Sequence, residues 1–359
     1  MSRVYNFNAG PAVLPLEVLQ QAATELVEFK GTGMSIMEHS HRGKDYEAVH
    51  VEAIDSIKKL LGLGDNYAVL FLQGGASQQF AMVPMNLLGE GQVADYVNSG
   101  AWGSKAIKEA KIIGKVNVLA DTSKDIPTRM PDMNSLKYTP GAAYVHVTSN
   151  ETIAGSQLKA FPKTASPLVA DMSSDMLSRR FDPNQFGLIY AGAQKNLGPS
   201  GVTLVIIRKD LAEKVSEKIP TIFRYKTHLA ENSLYNTPPC YSIYILNLVM
   251  KWLLKQGGLE GMEKINREKA AKIYAAIDGS SFYKGTAVKE FRSDMNITFR
   301  LPSEALEETF VKEASAQKMK GLKGHRSVGG IRASIYNAFP MEGIDALVAF
   351  MKDFEKKNG

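Results

Sequence analysis

The sequence predicts an α/β fold: a large domain with a mostly parallel sheet flanked by helices, plus a smaller α+β domain at the C-terminal end. Three observations carry this. Short apolar runs near 68–73, 93–98, 143–148, 167–170, 187–193 and 202–207 have strand length, with helical or irregular segments between them. That alternation is the mark of a parallel sheet. The chain has 359 residues, enough for about two domains with ample core. Beyond Gly257-Gly258 the pattern becomes helix, strand, helix, strand, helix, as in a small mixed domain.

Taken in order, residues 15–30 and 46–61 read as the first two helices, the second closed by Gly62 and Gly64. The run 68–72 leads through Gly74-Gly75 into a helix over 78–88. Residues 241–255 form a helix stopped by the glycine pair, a natural edge for the large domain. Then 262–277 is helical, 294–300 alternates like a strand, 304–317 is helical, 331–336 is a strand and 344–357 is the last helix. The expected large domain is 16–259. The small one takes 1–15 and 260–359, its N-terminal part on the strength of the resemblance given below. No internal repeat or low-complexity segment is visible.

Composition narrows the function classes. Hydrophobic residues make up 44% and charged residues 22%, ordinary for a soluble globular protein. One cysteine, Cys240, excludes an internal disulfide framework and a cysteine metal cluster. The N-terminal residues form no apolar signal segment, and the longest apolar stretch, 241–254, is interrupted by Asn247 and Lys251. A cytoplasmic protein without membrane attachment is the expectation. The net charge of +6 comes from scattered basic residues, which argues for a site holding anions rather than for nucleic acid.

The chemistry centres on Lys195. An apolar run, Leu188 to Ala193, delivers it to a strand end, a glycine-rich turn follows, and a second apolar run, Val202 to Ile207, comes next. Alone, such a lysine reads as a snorkelling side chain. Poised between buried segments, it can instead have a depressed pKa and form a Schiff base with an aldehyde cofactor. Asp171 ends the short run Leu168 to Ala170, where a parallel sheet displays its ligands. It could be a plain helix cap. Beside Lys195 it would hold a pyridine nitrogen protonated, the division of labour around pyridoxal phosphate.

Other segments suit the same cofactor. Strand, Gly74-Gly75-Ala76-Ser77, then a helix start is how a phosphate is held on free backbone N–H groups. There is no Walker loop and no Gly-x-Gly-x-x-Gly. Trp102, at the end of the strand-like segment 96–103, is either a core residue or a ring that stacks on a pyridine. Thr152, after the strand 144–148, is a cap or a donor to the cofactor's phenolic oxygen. His39 and His41 would share a strand face, but nothing else supports a metal site, and none is expected. His41-Arg42 suits an acidic substrate better. His325-Arg326 lies in a glycine-flanked basic loop, and Arg332 begins a strand.

These residues resemble the phosphoserine aminotransferases, in the class V group of pyridoxal-phosphate enzymes with the fold-type I architecture. The segments Asn6-Phe7-Asn8-Ala9-Gly10-Pro11, Glu38-His39-Ser40-His41-Arg42, Gly74-Gly75-Ala76-Ser77, Gln194-Lys195-Asn196-Leu197-Gly198-Pro199 and Tyr235-Asn236-Thr237-Pro238-Pro239 carry the likeness, in family order, along essentially the whole chain. The resemblance implies pyridoxal 5'-phosphate bound covalently to Lys195, with Asp171 at its ring nitrogen, Trp102 stacked on it and Thr152 at its phenolic oxygen. Ala76, Ser77 and Gln194 would hold the phosphate, joined by Asn236 and Thr237 from the second subunit of a homodimer. Substrate contacts would fall on His41, Arg42, His325, Arg326 and Arg332. The implied reaction moves the amino group between L-glutamate and 3-phosphohydroxypyruvate, a step of serine biosynthesis; whether a phosphorylated hydroxythreonine of vitamin B6 synthesis is also used is left open by the sequence. Some relatives carry arginine where this chain has Ser77. Three alternatives are a cysteine desulfurase, which needs a mobile thiol near the substrate, an alanine–glyoxylate transaminase, and a non-catalytic phosphate-binding module.

Overall fold

The computed structural model describes residues 3–359; Met1 and Ser2, expected in the small domain, lie outside the described residues. The elements run β1 (Tyr5–Asn6), α1 (Leu16–Thr24), α2 (Lys44–Leu61), β2 (Tyr67–Leu72), α3 (Gly75–Leu87), β3 (Val93–Asn98), α4 (Ala101–Ile113) and β4 (Lys115–Asp121). Next come β5 (Val145–Thr148), β6 (Asn150–Glu151), β7 (Ser156–Gln157), β8 (Leu168–Asp171), β9 (Phe186–Gly192), β10 (Thr203–Arg208), α5 (Lys209–Glu213) and α6 (Tyr225–Ala230). The rest of the chain holds α7 (Cys240–Lys255), α8 (Gly258–Asp278), β11 (Lys284–Gly285), β12 (Asn296–Arg300), α9 (Glu304–Ala316), β13 (Met319–Lys320), β14 (Ile331–Ser334) and α10 (Met341–Asn358).

Seven strands form the main sheet in the order β2-β10-β9-β8-β5-β3-β4. All neighbours are parallel except β10, which runs antiparallel to β2 and β9. Strands β2, β9 and β10 are mostly apolar because both faces are covered. Along β2, Tyr67, Val69 and Phe71 enter one hydrophobic cluster with residues of α2 and α7, while Ala68, Leu70 and Leu72 enter another with residues of α3 and α4. The same two-residue alternation holds in β9 and β10, so each strand feeds two cores.

A third cluster joins Phe7 and Val13 to α8, β12, α9, β14 and α10 around a small antiparallel sheet, β11-β12-β14. Backbone pairing of β1 with β13 brings the N-terminal segment to it. Helix α8 reaches both masses: Leu259 and Met262 pack in the first cluster, Ala270, Ile273 and Ile277 in the third.

Three local expectations change. The first helix stops at Thr24 rather than Lys30, because Gly31 and Gly33, both at positive φ, fold the chain into turns and Phe29 N–H bonds back to the Met34 carbonyl. Residues 35–43 are turns and bends, so His39 and His41 do not share a strand face. Strand β4 was not foreseen: its Lys-Val-Asn-Val-Leu-Ala-Asp sequence is half-polar because it is the sheet edge.

Candidate active site

The carboxyl ends of the parallel strands, with the starts of two helices, enclose a cleft. It is lined by Gly75, Ala76, Ser77, Trp102, Thr148, Asn150, Asp171, Ser173, Ser174, Gln194 and Lys195. Six of the residues expected at the cofactor from sequence therefore meet in one place.

Lys195 lies in the turn after β9. Its Nζ donates to Thr152 Oγ1 at 2.7 Å and stands 5.2 Å from the centroid of the Trp102 ring. Enclosure in the cleft lowers its amine to about 8, against the pull of Asp171 and Glu151 toward the charged form; Arg332 adds to the lowering. Asp171 is the last residue of β8 and 5% exposed. Its Oδ1 accepts from Ser173 N–H at 2.9 Å, and burial raises its pKa against the opposing effects of Ser173 and Lys195.

Two helix N-termini face this cleft, and they differ. Helix α3 starts after Gly74, which sits at φ 83°, with no side-chain cap, so its first N–H groups are open to a ligand. A Cβ on Gly74 would collide with the Gln78 side chain, so the turn needs glycine there. Helix α4 is plugged from within the chain. Glu151 accepts from Trp102 N–H at 3.3 Å and Gly103 N–H at 3.2 Å. An external anion thus has one helix to bind, and it is the one carrying Ala76 and Ser77. Trp102 itself belongs to the first turn of α4, not to the end of the preceding strand, which closes at Asn98.

Thr152 links two cations. Its hydroxyl accepts from Lys195, and its carbonyl accepts from Arg332 Nη1 at 3.5 Å. Arg332 Nε is buried without a hydrogen-bond partner, and no carboxylate pairs with this guanidinium among the described residues. An unpaired, partly buried guanidinium beside a reactive amine is a receptor for a carboxylate. His325 and Arg332 also line a neighbouring cavity of about 560 Å³ between the small sheet and residues 126–128 and 153–154. The His325 imidazole is pushed down by burial, then by Arg332, Arg326 and Lys105, so several cations converge there. Arg326 is exposed on the same loop.

Beside Thr152, His325, Arg326 and Arg332, four further expected residues, His41, Arg42, Asn236 and Thr237, are outside the lining of this cleft. Arg42 is exposed and donates to the Leu234 carbonyl at 3.3 Å; His41 precedes it. Asn236 Nδ2 reaches Gln73 Oε1 at 3.5 Å, and Thr237 is exposed. The 41–42 and 234–237 segments are thus neighbours, and Asn236 meets the residue just before the Gly74-Gly75 turn.

The family model for class V aminotransferases matches residues 4–347. The chain belongs to the class V aminotransferases. The phosphoserine aminotransferase of Niallia circulans is 58% identical over 359 residues, covering 99% of both chains. The solved structure of the phosphoserine aminotransferase from Bacillus circulans subsp. alkalophilus superposes with a TM-score of 0.96 at 57% identity, covering 99% of each. That of the PLP-bound phosphoserine aminotransferase from Trichomonas vaginalis does so at 0.94 and 41% identity, covering 98% of this chain and 100% of that one.

The cofactor of class V aminotransferases, pyridoxal 5'-phosphate, fits the residues present: an uncapped helix start for a phosphate, an indole beside the amine for a ring, a buried carboxylate and a part-neutral amine. Among the described residues no three His, Cys, Asp or Glu side chains converge as a metal site. His39 is occupied by Thr32 and Asp45. Cys240, half-buried at the start of α7, donates to the Pro238 carbonyl and does not line the cleft, which removes the thiol a desulfurase needs.

Among the buried charges that sequence reading of this aminotransferase missed, two stand out. Glu151 is 0% exposed, and burial raises its pKa to about 7. Its signal was an acidic residue right after a strand and before Thr152. Lys269, also 0% exposed, donates to the carbonyls of Ile335 and Tyr336 at 3.0 and 2.7 Å. Amphipathic spacing gave no hint of it.

Proposed function

We propose that this chain is a phosphoserine aminotransferase that moves the amino group reversibly between L-glutamate and 3-phosphohydroxypyruvate, giving O-phospho-L-serine and 2-oxoglutarate. The observation that carries the reading is the Lys195 amine, lowered to about 8 and bonded to Thr152, beside the buried carboxylate of Asp171. When bound, pyridoxal 5'-phosphate supplies an aldehyde that takes up an amino group and a ring that withdraws electrons from the carbon bearing it.

The chain's own residues do the rest. Lys195 Nζ is the covalent anchor and, once released, the base that removes the proton from the substrate's α-carbon. Asp171 holds the positive charge of the ring nitrogen, in a site dry enough to make that interaction strong. Trp102 supports the ring, and Thr152 orients both the Lys195 amine and Arg332. Ala76, Ser77 and Gln194 hold the phosphate with the first turn of α3. Arg332 takes the substrate's α-carboxylate, while His325 and Arg326 read the distal anion, the γ-carboxylate or the phosphate in turn.

The working unit we propose is a homodimer. Leu26, Val27, Met34 and Met37 expose apolar surface on the segment that leads to His41 and Arg42. Bringing that face against a second copy would let His41, Arg42, Asn236 and Thr237 complete the partner's site. Mixing a Lys195→Ala chain with an Asn236→Ala/Thr237→Ala chain tests this, since hybrid dimers should recover one intact site. No recovery would exclude the shared site. The division into 16–259 and 1–15 with 260–359 is kept as a proposal, with α8 spanning the border. A cytoplasmic location is proposed on the biosynthetic role; among the described residues no helix is long and apolar enough to cross a membrane.

The deciding assay couples glutamate to phosphohydroxypyruvate and compares it with glyoxylate, pyruvate and the phosphorylated hydroxythreonine. Preference for the phosphorylated keto acid is expected. A higher kcat/KM with glyoxylate would overturn the substrate reading.

A further inference from the structure

Glu151 is a fully buried carboxylate set against the start of α4. It lies one residue before the threonine that holds Lys195, and its oxygens are shared among Trp102 N–H, Gly103 N–H and Ser99 Oγ, the last at 3.4 Å. The chain has been shaped around it: a Cβ on Gly100 would collide with this carboxylate. A buried carboxylate is costly unless helix N–H groups or a cation repay it. The helix N–H groups are present here, and the charges of Glu151 and Lys195 favour one another.

We propose that Glu151 is a positioning residue with two tasks: it seats the first turn of α4, and so Trp102, and its charge sets how readily the Lys195 amine gives up its proton. This rests on the reading of Lys195 as the reactive amine. The two tasks follow from one geometry. A carboxylate on the first free N–H groups of α4 fixes the backbone that carries the indole, and the dipole of that helix helps keep it ionised. The same charge, buried one residue before the Thr152 whose hydroxyl holds Lys195, favours the ammonium and opposes the lowering caused by enclosure. The other charges around the pair are Asp171 on β8, Asp175 in the turn after it and Arg332 on β14. The first two act in the same sense as Glu151, and Arg332 acts against it. Glu151 thereby works as a brake: with its charge in place the amine, at about 8, stays mostly protonated at pH 7, and a midpoint about one unit lower would leave it about half neutral there.

The test uses the full chain freed of cofactor. Competitive acylation of Lys195 across pH 6 to 10, read by peptide mapping, gives the midpoint of its amine. Glu151→Gln keeps an acceptor oxygen and the shape but loses the charge; its Lys195 midpoint should fall by about one pH unit. Glu151→Asp keeps the charge but withdraws from α4. Its midpoint should stay near that of the parent, while hydrogen exchange at the Trp102 and Gly103 amides speeds up about tenfold. A midpoint unchanged in Glu151→Gln overturns the charge role, and exchange unchanged in Glu151→Asp overturns the seating role. If Glu151→Gln does not fold, a Glu151→Asp midpoint shifted as far down as Lys195 can move without any carboxylate there, about a unit, also overturns the charge role. Borohydride reduction of the parent loaded with pyridoxal phosphate separates the two ideas. A pyridoxyl group found away from Lys195 sinks the site reading, whereas the acylation midpoint bears on Glu151 alone.

Discussion

Lys195 Nζ donates to Thr152 Oγ1 at 2.7 Å, and this one bond decides where the amine points. Enclosure lowers that amine to about 8 from its ordinary 10.5. Below about 8 it is mostly ammonium and cannot attack an aldehyde. Capture of pyridoxal phosphate by the cofactor-free protein should therefore slow about tenfold per pH unit below 8 and level off above it. Thr152→Val removes the acceptor that favours the charged form, so the midpoint should move down by about a unit. Stopped-flow absorbance across pH 6 to 9.5 reads both; a profile still climbing steeply at pH 9.5 would contradict the lowered amine. The linkage has a definite sign. Between about 8 and 10.5 the folded chain holds fewer protons at Lys195 than the unfolded one, so this group's contribution to stability rises with pH there.

Lys195→Ala should leave the fold intact, lose the imine absorption and reduce transamination by at least about 10⁴-fold. Asp171→Ala should still bind some cofactor but lose most of the rate, about 10³-fold. Steady-state kinetics on both variants decide the matter. Near-normal turnover in either one removes the role assigned to that side chain.

Ser77 sits in the first turn of α3, whose N–H groups have no side-chain cap. Ser77→Asp puts a carboxylate where the phosphate is expected, so pyridoxal phosphate should bind at least about tenfold more weakly. Because that carboxylate also complements the helix dipole, the cofactor-free variant should lose no thermal stability. Titration calorimetry and melting curves measure the two effects separately. Unchanged affinity would place the phosphate elsewhere.

Most of the sheet was legible because its strands are continuous apolar runs buried on both faces, and such runs announce themselves. Lys195 and Asp171 were legible for a related reason: each is the first charged group at or just past the end of a buried strand. Edge strand β4 was hidden by its polar half, and the early stop of α1 by a leucine and a valine that the fold leaves exposed. Glu151 and Lys269 could not be weighed from sequence, since what makes them informative is burial among partners distant along the chain. For Lys269 those are carbonyls of residues 335–339. Asn236 and Thr237 were picked out by likeness alone, and His41 and Arg42 by likeness beside their suitability for an acidic substrate; none of the four lines the cleft.

Arg332 is held at Thr152 by a long bond, with its Nε unpartnered. Arg332→Gln should raise KM for glutamate about 100-fold, from loss of a charge-assisted contact to the α-carboxylate. The same change removes a buried, uncompensated charge, so the melting temperature should hold or rise. A KM within threefold of the parent would show that the carboxylate is bound elsewhere. A large drop in melting temperature would show that the guanidinium is structural.

Lys269 offers the sharpest test of how the two cores are tied together. Its ammonium, on α8, faces the carbonyls of Ile335 and Tyr336, with Asn337 and Phe339 farther off at 3.4 Å. That loop follows the strand of Arg332, and its Asn337 N–H donates to Asn196 Oδ1 beside Lys195. Burial pulls the amine down to about 7, while the four carbonyls favour its charged form. Lys269→Met keeps the volume and leaves those carbonyls short of donors, which should cost about 2–4 kcal/mol. The sign with pH follows from the lowered amine. In the parent, the contribution of Lys269 to stability rises from about pH 7 toward 10.5, because the unfolded chain holds the extra proton there. Urea unfolding at pH 7 and pH 9 on both proteins therefore gives a cost for the Met variant that is larger at pH 9. Equal stability of parent and variant at both pH values would mean that the loop is held by Asn337 and its partners, with the buried ammonium contributing nothing.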